Sequence, residues 1–180
     1  MEQRYSFQPL GERHLPLRAA FSCGEGALDQ YLRERARREM AQRVAAVWLL
    51  HDGEENRIAG YYTLSAVAIQ RGDLPVGFTH RMAQYDIYPA TLLGRLAVDT
   101  EYRDQRIGGR LLLDALARSL AASREVASVA VVTDAKTPEV QGFYEHYGFM
   151  PLPTESHERR SFLPMKTVTQ LLGAERDRSS

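Results

Sequence analysis

Short apolar runs with strand-like spacing alternate along this chain with stripes of helical spacing. Tyr5–Leu10 reads as a first strand closed by Gly11, and Pro16 with the small residues after it reads as a short helical piece. Leu28, Leu32, Ala36 and Met40 recur at i+4, the buried stripe of a helix that opens at Ser22 or Gly24 and runs to Met40. Val44–His51 and Arg57–Ile69 read as strands joined at Asp52-Gly53. Gln70–Ala90, with Pro75, Gly77 and Pro89, reads as an irregular connection. Leu92–Val98 is strand-like. Ile107, Leu111, Leu112, Ala115, Leu116 and Leu120 then share one helical stripe. The β-branched run Val126–Thr133 predicts a strand, and Pro138 a helix start, with Gly148 as its C-terminal stop. Phe149-Met150 and Ser161–Met165 read as closing strands, Thr167–Leu172 as a last short helix, and Glu175–Ser180 as a frayed tail. The order β, α, β, β, β, α, β, α, β, β predicts an α/β protein with one sheet, a single domain over residues 1–174.

The 180 residues are enough for a self-sufficient core. Formal net charge is zero, so attraction to nucleic acid or to an anionic membrane must come from a local patch. Cys23 is the only cysteine, which excludes an internal disulfide and a cysteine zinc cluster. His14, His51, His80, His146 and His157 are scattered without metal-ligand spacing, so no metal is expected. No apolar signal core opens the chain, and no window approaches the ~18 apolar residues of a membrane span. A cytoplasmic protein with no membrane partner is the expectation.

Two places carry candidate chemistry. The first is the polar turn after Leu92–Val98, where Arg103, Asp104, Gln105 and Arg106 lead into Ile107, Gly108, Gly109 and Arg110. Free amides at a helix start, with three arginines beside them, suit a phosphate or pyrophosphate. An ordinary strand-to-helix turn with solvated arginines has the same spacing. Neither G-x-x-x-x-G-K-[ST] nor G-x-G-x-x-G occurs, which argues against an ATPase or a dinucleotide enzyme. The second is Leu32–Arg43, where Arg33, Arg35, Arg37, Arg38 and Arg43 stand against Glu34 and Glu39. Arg33 and Arg37 share an outer face, and Arg35 falls near the apolar stripe. Ion pairs along a solvated helix explain part of this run, and an excess of three positive charges leaves RNA contact open.

LGRLAVD (Leu93–Asp99), the Y-R-x-Q-x-x-G turn and LLLDAL (Leu111–Leu116) resemble the acyl-CoA loop of the GNAT N-acetyltransferases. The resemblance implies the GNAT fold: a single mixed, mostly antiparallel sheet, splayed at the acyl-CoA cleft and flanked by helices. It implies acetyl-CoA as co-substrate, its pyrophosphate on Arg103–Arg110 and its pantetheine paired to the backbone of Leu96, Ala97 and Val98. Arg106 stands where the family usually has its first glycine. If a positive φ is needed there, arginine is strained, and Gly108 and Gly109 are expected to keep the needed backbone freedom. Phe143, Tyr144, Gly148 and Phe149 resemble the F-Y-x-x-x-G-F segment in which the tyrosine is the general acid. Spacing alone makes Phe143 and Tyr144 core aromatics; the resemblance makes Tyr144 the proton donor to the leaving thiolate and places Phe143 beside the cofactor. A backbone N–H near Leu96–Val98 would hold the oxyanion. Glu139, Glu145, Asp134 and His146 are near in sequence, but none is marked as a general base. An α-amine, with a pKa near about 8, needs less help than a lysine near about 10.4.

FSCG (Phe21–Gly24) with LDQYL (Leu28–Leu32), GYYTLS (Gly60–Ser65), LLGRLAVD (Leu92–Asp99) and FLPMKT (Phe162–Thr167), together with DAK (Asp134–Lys136) and the Phe143-Tyr144 pair, are similar to segments of the GNAT toxins of toxin–antitoxin pairs. That resemblance implies acetylation of the α-amine of aminoacyl-tRNA, which blocks translation. It also implies a ribbon–helix–helix antitoxin as partner and a homodimer. Arg33, Arg35, Arg37 and Arg38 become tRNA candidates, and Arg95 a candidate for contacting CoA or the acceptor. The rivals are a GNAT enzyme acting on a small-molecule or protein amine, and a non-catalytic module that keeps the fold and binds a partner.

Overall fold

Seven strands realise the period-two patterning in a computed structural model that describes residues 4–178. They are β1 (Tyr5–Pro9), β2 (Ala46–Asp52), β3 (Arg57–Gln70), β4 (Ile87–Val98), β5 (Ala130–Asp134), β6 (Met150–Pro151) and β7 (Arg160–Pro164). Their order in the sheet is β1-β2-β3-β4-β5-β7-β6. The pairs β1–β2, β2–β3, β5–β7 and β6–β7 are antiparallel, and β4–β5 is parallel. A parallel pair needs a crossover, which α4 (Ile107–Ala122) supplies between β4 and β5. The α/β class with one sheet is the one the pattern predicts, and the mixed, mostly antiparallel pairing is what the family resemblance implies. By density of contacts the chain divides into two units, and β3, β4 and α4 each contribute to both.

The first unit takes the chain up to Ser65 with Gly94–Ala115. Its core gathers Phe21, Tyr31, Leu32, Ala36, Val47, Leu49, Ile58, Tyr61 and Ala97, with Leu28 and Met40 packed against it. The whole i+4 stripe is therefore inward, as its spacing requires. The helix that carries it differs from expectation at its start and in its middle. It opens as α1 (Gly26–Gln30), passes through a π-helical turn (Tyr31–Arg35) and ends as α2 (Ala36–Ala41). Ser22 and Gly24 lie before it, in a segment that the Asp29 carboxylate folds back on: it accepts the Cys23 amide at 2.9 Å and the Ser22 hydroxyl at 3.3 Å. The wider π turn inserts a residue, so Tyr31 and Leu32 both point inward while the stripe continues. Glu12–Ala20 is a 3-10 helix around Pro16.

The second unit takes Ala66–Leu93 and the chain from Leu116 on. Ile69, Leu74, Tyr88, Ala90, Ala130, Val132, Leu152 and Phe162 form its core. The connection expected to be irregular is partly built: a 3-10 turn (Arg71–Asp73), the short helix α3 (Val76–Thr79) and the first residues of β4. Pro89 lies inside β4 at an exposed position, where its carbonyl accepts the Val129 amide at 2.9 Å and its missing N–H is not needed. β5 starts at Ala130, four residues later than the β-branched run suggests, and Val126 is 78% exposed. α5 (Pro138–His146) is capped by the Thr137 hydroxyl, and Gly148 follows at φ +95°. α6 (Met165–Arg178) is longer than expected, so residues 175–178 continue a helix rather than fray. Residues 179 and 180 lie outside the described residues.

Candidate active site

The turn after β4 is built by a carboxylate. Asp99 is buried, accepts the Glu101 amide at 2.9 Å through Oδ1 and the Ser22 amide at 3.0 Å through Oδ2, and so ties the turn to the FSCG segment. A 3-10 turn, Thr100–Tyr102, follows. Beyond it, Asp104 and Arg106 adopt left-handed backbone, φ +63° and +58°. Gly108 and Gly109, expected to supply that freedom, are instead inside α4. The strain falls on side-chain-bearing residues, about 1–2 kcal/mol each. Such strain persists where the surroundings over-determine it, and it marks functional turns. Left-handed residues next to helical backbone can converge successive amides into an anion-binding concavity, and these two stand just before the N-terminus of α4.

The expected residues frame that concavity. Arg103 donates through Nη2 to the Cys23 carbonyl at 3.1 Å. Arg110 lies over the Tyr5 ring at 4.9 Å, and the Tyr5 hydroxyl donates to Gln105 Oε1 at 3.1 Å. Ile107 is buried and anchors the helix, while Arg106 is exposed beside it. Leu96 and Val98 are half-buried and Ala97 is buried. Tyr5 is a member that sequence reasoning missed, since nothing local marks a residue a hundred positions from Gln105.

A basic cavity of ≈ 470 Å³ is lined by Arg18, Arg33, Glu34, Arg37, Arg38 and Ala41. Arg33 and Arg37 thus share a face, as their spacing implies, and Arg38 stands beside them. Arg18 joins them from the 3-10 segment, its Nη1 donating to the Leu32 carbonyl at 3.1 Å. Part of the charge is compensated, because Arg37 pairs with Glu12 at 2.6 Å. Arg35 is exposed and turns elsewhere, its guanidinium 5.6 Å from the Tyr31 ring centre. Arg95 covers the same ring at 3.6 Å.

Tyr144 lies in the second unit, 5% exposed, with Phe143 and Phe149 at 5.2 and 5.3 Å between ring centres. Burial raises its pKa, and a hydrogen bond with the Thr133 hydroxyl opposes the rise. Thr133 in turn donates to the Leu93 carbonyl at 3.2 Å. His146 is exposed. Among the described residues no three His, Cys, Asp or Glu side chains gather as a metal site. None of the described helices is long and apolar enough to cross a membrane.

At this end of β4 a strand thus runs into a left-handed, arginine-bearing turn and a helix N-terminus. Residues 43–151 match the acetyltransferase (GNAT) domain, and the chain belongs to that family of N-acetyltransferases. It is 33% identical over 155 residues to a tRNA-acetylating toxin of Mycobacterium tuberculosis (strain ATCC 25618 / H37Rv), covering 86% of this chain and 89% of that protein. It is similar to the structure of AtaT complexed with acetyl-methionyl-tRNAfMet, with TM-score 0.85 and 27% identity over 93% of this chain and 98% of the other. It also resembles a tyrosine-to-phenylalanine mutant of AtaT bound to the C-terminus of the antitoxin AtaR, with TM-score 0.78 and 25% identity over 94% and 98% of the two chains.

Proposed function

We propose that this protein is a toxin that transfers the acetyl group of acetyl-CoA to the α-amine of aminoacyl-tRNA. The observation that carries the reading is the pair of left-handed residues Asp104 and Arg106 before α4, a cradle for a pyrophosphate in a chain of this family. The similarity to a tRNA-acetylating toxin and to AtaT with its acetylated tRNA supports the acceptor class.

In this reading Arg103, Asp104, Gln105, Arg106, Ile107, Gly108, Gly109 and Arg110 hold the pyrophosphate, with Phe143 beside the cofactor. The backbone of Leu96, Ala97 and Val98 pairs with the pantetheine and supplies the oxyanion donor. The amine nitrogen attacks the thioester carbonyl, the C–S bond breaks, and the departing thiolate takes the phenolic proton of Tyr144. The amine gives up its own proton to solvent. An α-amine is partly neutral near pH 7.5, which fits a site whose expected carboxylates and histidine are not gathered into a marked base. Arg18, Arg33, Arg37 and Arg38 hold RNA phosphates, and Arg35 and Arg95 belong to the acceptor side. The similarity to AtaT bound to antitoxin supports neutralisation by an antitoxin, with a ribbon–helix–helix protein and a homodimeric toxin as the finer expectation.

The test is incubation of the purified protein with radiolabelled acetyl-CoA and total charged tRNA. Label retained on tRNA and released by mild alkaline deacylation is the expected result. Acetyl-CoA binding with no label on tRNA, and turnover with free amines, would replace this reading with that of a small-amine enzyme. Arg37→Ala with Arg38→Ala should weaken tRNA binding across sequences and lower its salt slope by about 2, one per lost phosphate contact.

A further inference from the structure

Tyr31 is fully buried by its neighbours, yet it carries two guanidinium groups. Its ring stacks with Tyr61 at 6.3 Å and 18°, and its hydroxyl donates to Glu39 at 2.8 Å, which fixes the ring in place. Arg95 lies 3.6 Å from the ring centre and Arg35 lies 5.6 Å from it. Tyr31 and Arg35 stand four residues apart, at the two ends of the π-helical turn. On β4, Arg95 shares a face with Ala97, which belongs to the core around Tyr31, Leu32 and Ala36.

Arg95 is half-buried, and among the described residues it has no hydrogen-bond acceptor and no carboxylate within ion-pair distance. The aromatic face orients this cation but leaves its N–H fork open. Arg57 and Arg160, by contrast, each meet an aspartate. A held, half-buried guanidinium with an open fork is suited to a bidentate oxyanion.

We infer that Arg95, oriented by Tyr31 and seconded by Arg35, is a seat for a phosphodiester of the acceptor, at the 3′ end of the RNA. A polyanion is favoured over a lone carboxylate because the same helical segment also presents Arg33, Arg37 and Arg38 to the basic cavity. A chain of phosphates can engage both places, and a single carboxylate only one. This inference rests on the tRNA reading, so its test separates the two.

Two acceptors carry the amino acid identified with total charged tRNA, as a stable 3′-amide: one on adenosine, the other on a CCA trinucleotide. Arg95→Gln should raise KM for the trinucleotide about 10- to 100-fold, the size of a lost charge-assisted hydrogen bond, and leave KM for the nucleoside and for acetyl-CoA unchanged. Arg95→Lys, which keeps the charge but not the fork, should fall between. Equal effects on both acceptors, or a raised KM for acetyl-CoA, would overturn the seat. Binding of an uncharged CCA-ended hairpin is measured in parallel on each variant, with thermal melting as the fold control. Hairpin binding that depends on Arg95 without any acetylation would uphold the seat and fail the acetylation reading. Binding indifferent to Arg95 would fail the seat whatever the activity.

Discussion

The hydroxyl of Thr133, which donates to the Leu93 carbonyl at 3.2 Å, opposes the upward push that burial gives the pKa of the Tyr144 phenol. The two residues come from α5 and β5, and this opposition bears on the acid role proposed for Tyr144. Burial disfavours the phenolate that remains once Tyr144 has given up its proton, and the Thr133 hydroxyl is the neighbour that opposes this. Tyr144→Phe should lower kcat by about 10²–10⁴-fold with KM for acetyl-CoA little changed. Thr133→Val, close in shape, should lower kcat less and move the alkaline limb of the pH–rate profile upward. A Thr133→Val profile superimposable on that of the parent would remove Thr133 from the mechanism.

Arg106 pairs a charge with a backbone that arginine adopts at a cost. At φ +58°, Arg106→Gly relieves the strain and loses the charge, whereas Arg106→Ala keeps the strain and loses the charge. The glycine variant should therefore be more stable than the alanine variant by about 1 kcal/mol. Both should bind acetyl-CoA more weakly than the parent by a similar factor, because both lack the guanidinium. Chemical denaturation read beside acetyl-CoA titration checks the two effects separately. Equal stability of the two variants would mean that the turn relaxes when the side chain is shortened.

What was legible in the sequence was the part set by local periodicity and by residues with one backbone use. Leu28, Leu32, Ala36 and Met40 gave the buried stripe, and Gly148 gave the left-handed stop after α5. The left-handed turn was less visible, because Asp104 and Arg106 occupy it rather than the adjacent glycines. Asp99, buried and holding two amides, fixes that turn through tertiary contact with Ser22. The π turn at Tyr31 has the same character: it answers to packing against Tyr61 and to the Glu39 carboxylate. Arg18, Tyr5 and Thr133 reach their partners across distant segments, and no spacing rule points to them. Most of the element order along the chain was readable, and most of the site's support was not.

Acid stability should depend on one buried carboxylate. Asp52 accepts Arg4 at 2.8 Å, the Tyr102 hydroxyl at 2.9 Å and the Glu54 and Glu55 amides at 3.0 and 3.3 Å. Burial pushes its pKa up, but these donors prevail and hold it at about 2, below its ordinary 3.8. A depressed folded-state pKa contributes stability that is complete above the unfolded value and is lost as pH falls toward the folded one. Stability should therefore decline between pH 3.8 and about 2. Asp52→Asn should cost about 1–3 kcal/mol at neutral pH through donors left short of a partner. It should also flatten the decline in that acid window. Urea unfolding at stepped pH checks both, and an unchanged acid slope in the variant would assign it to other carboxylates.

Gly60 controls how closely α4 approaches the sheet. A Cβ placed there would meet Leu111 Cδ1 at 2.7 Å and the Ala97 carbonyl oxygen at 2.8 Å. The leucine methyl can swing away, whereas the carbonyl belongs to β4. The neighbouring residue is constrained as well: the β2–β3 register slips beside Gly60, and the Ala59 carbonyl accepts the Asp99 amide at 2.9 Å. Gly60→Ala should therefore destabilise by about 1–3 kcal/mol, the usual size of overpacking. Because the displaced strand carries Ala97 and leads into Asp99, KM for acetyl-CoA should rise with it. Adding Leu111→Ala should restore little of either loss, since the carbonyl contact remains. Recovery of parental stability and KM in the double variant would instead show that β4 yields and that only the leucine methyl stands in the way.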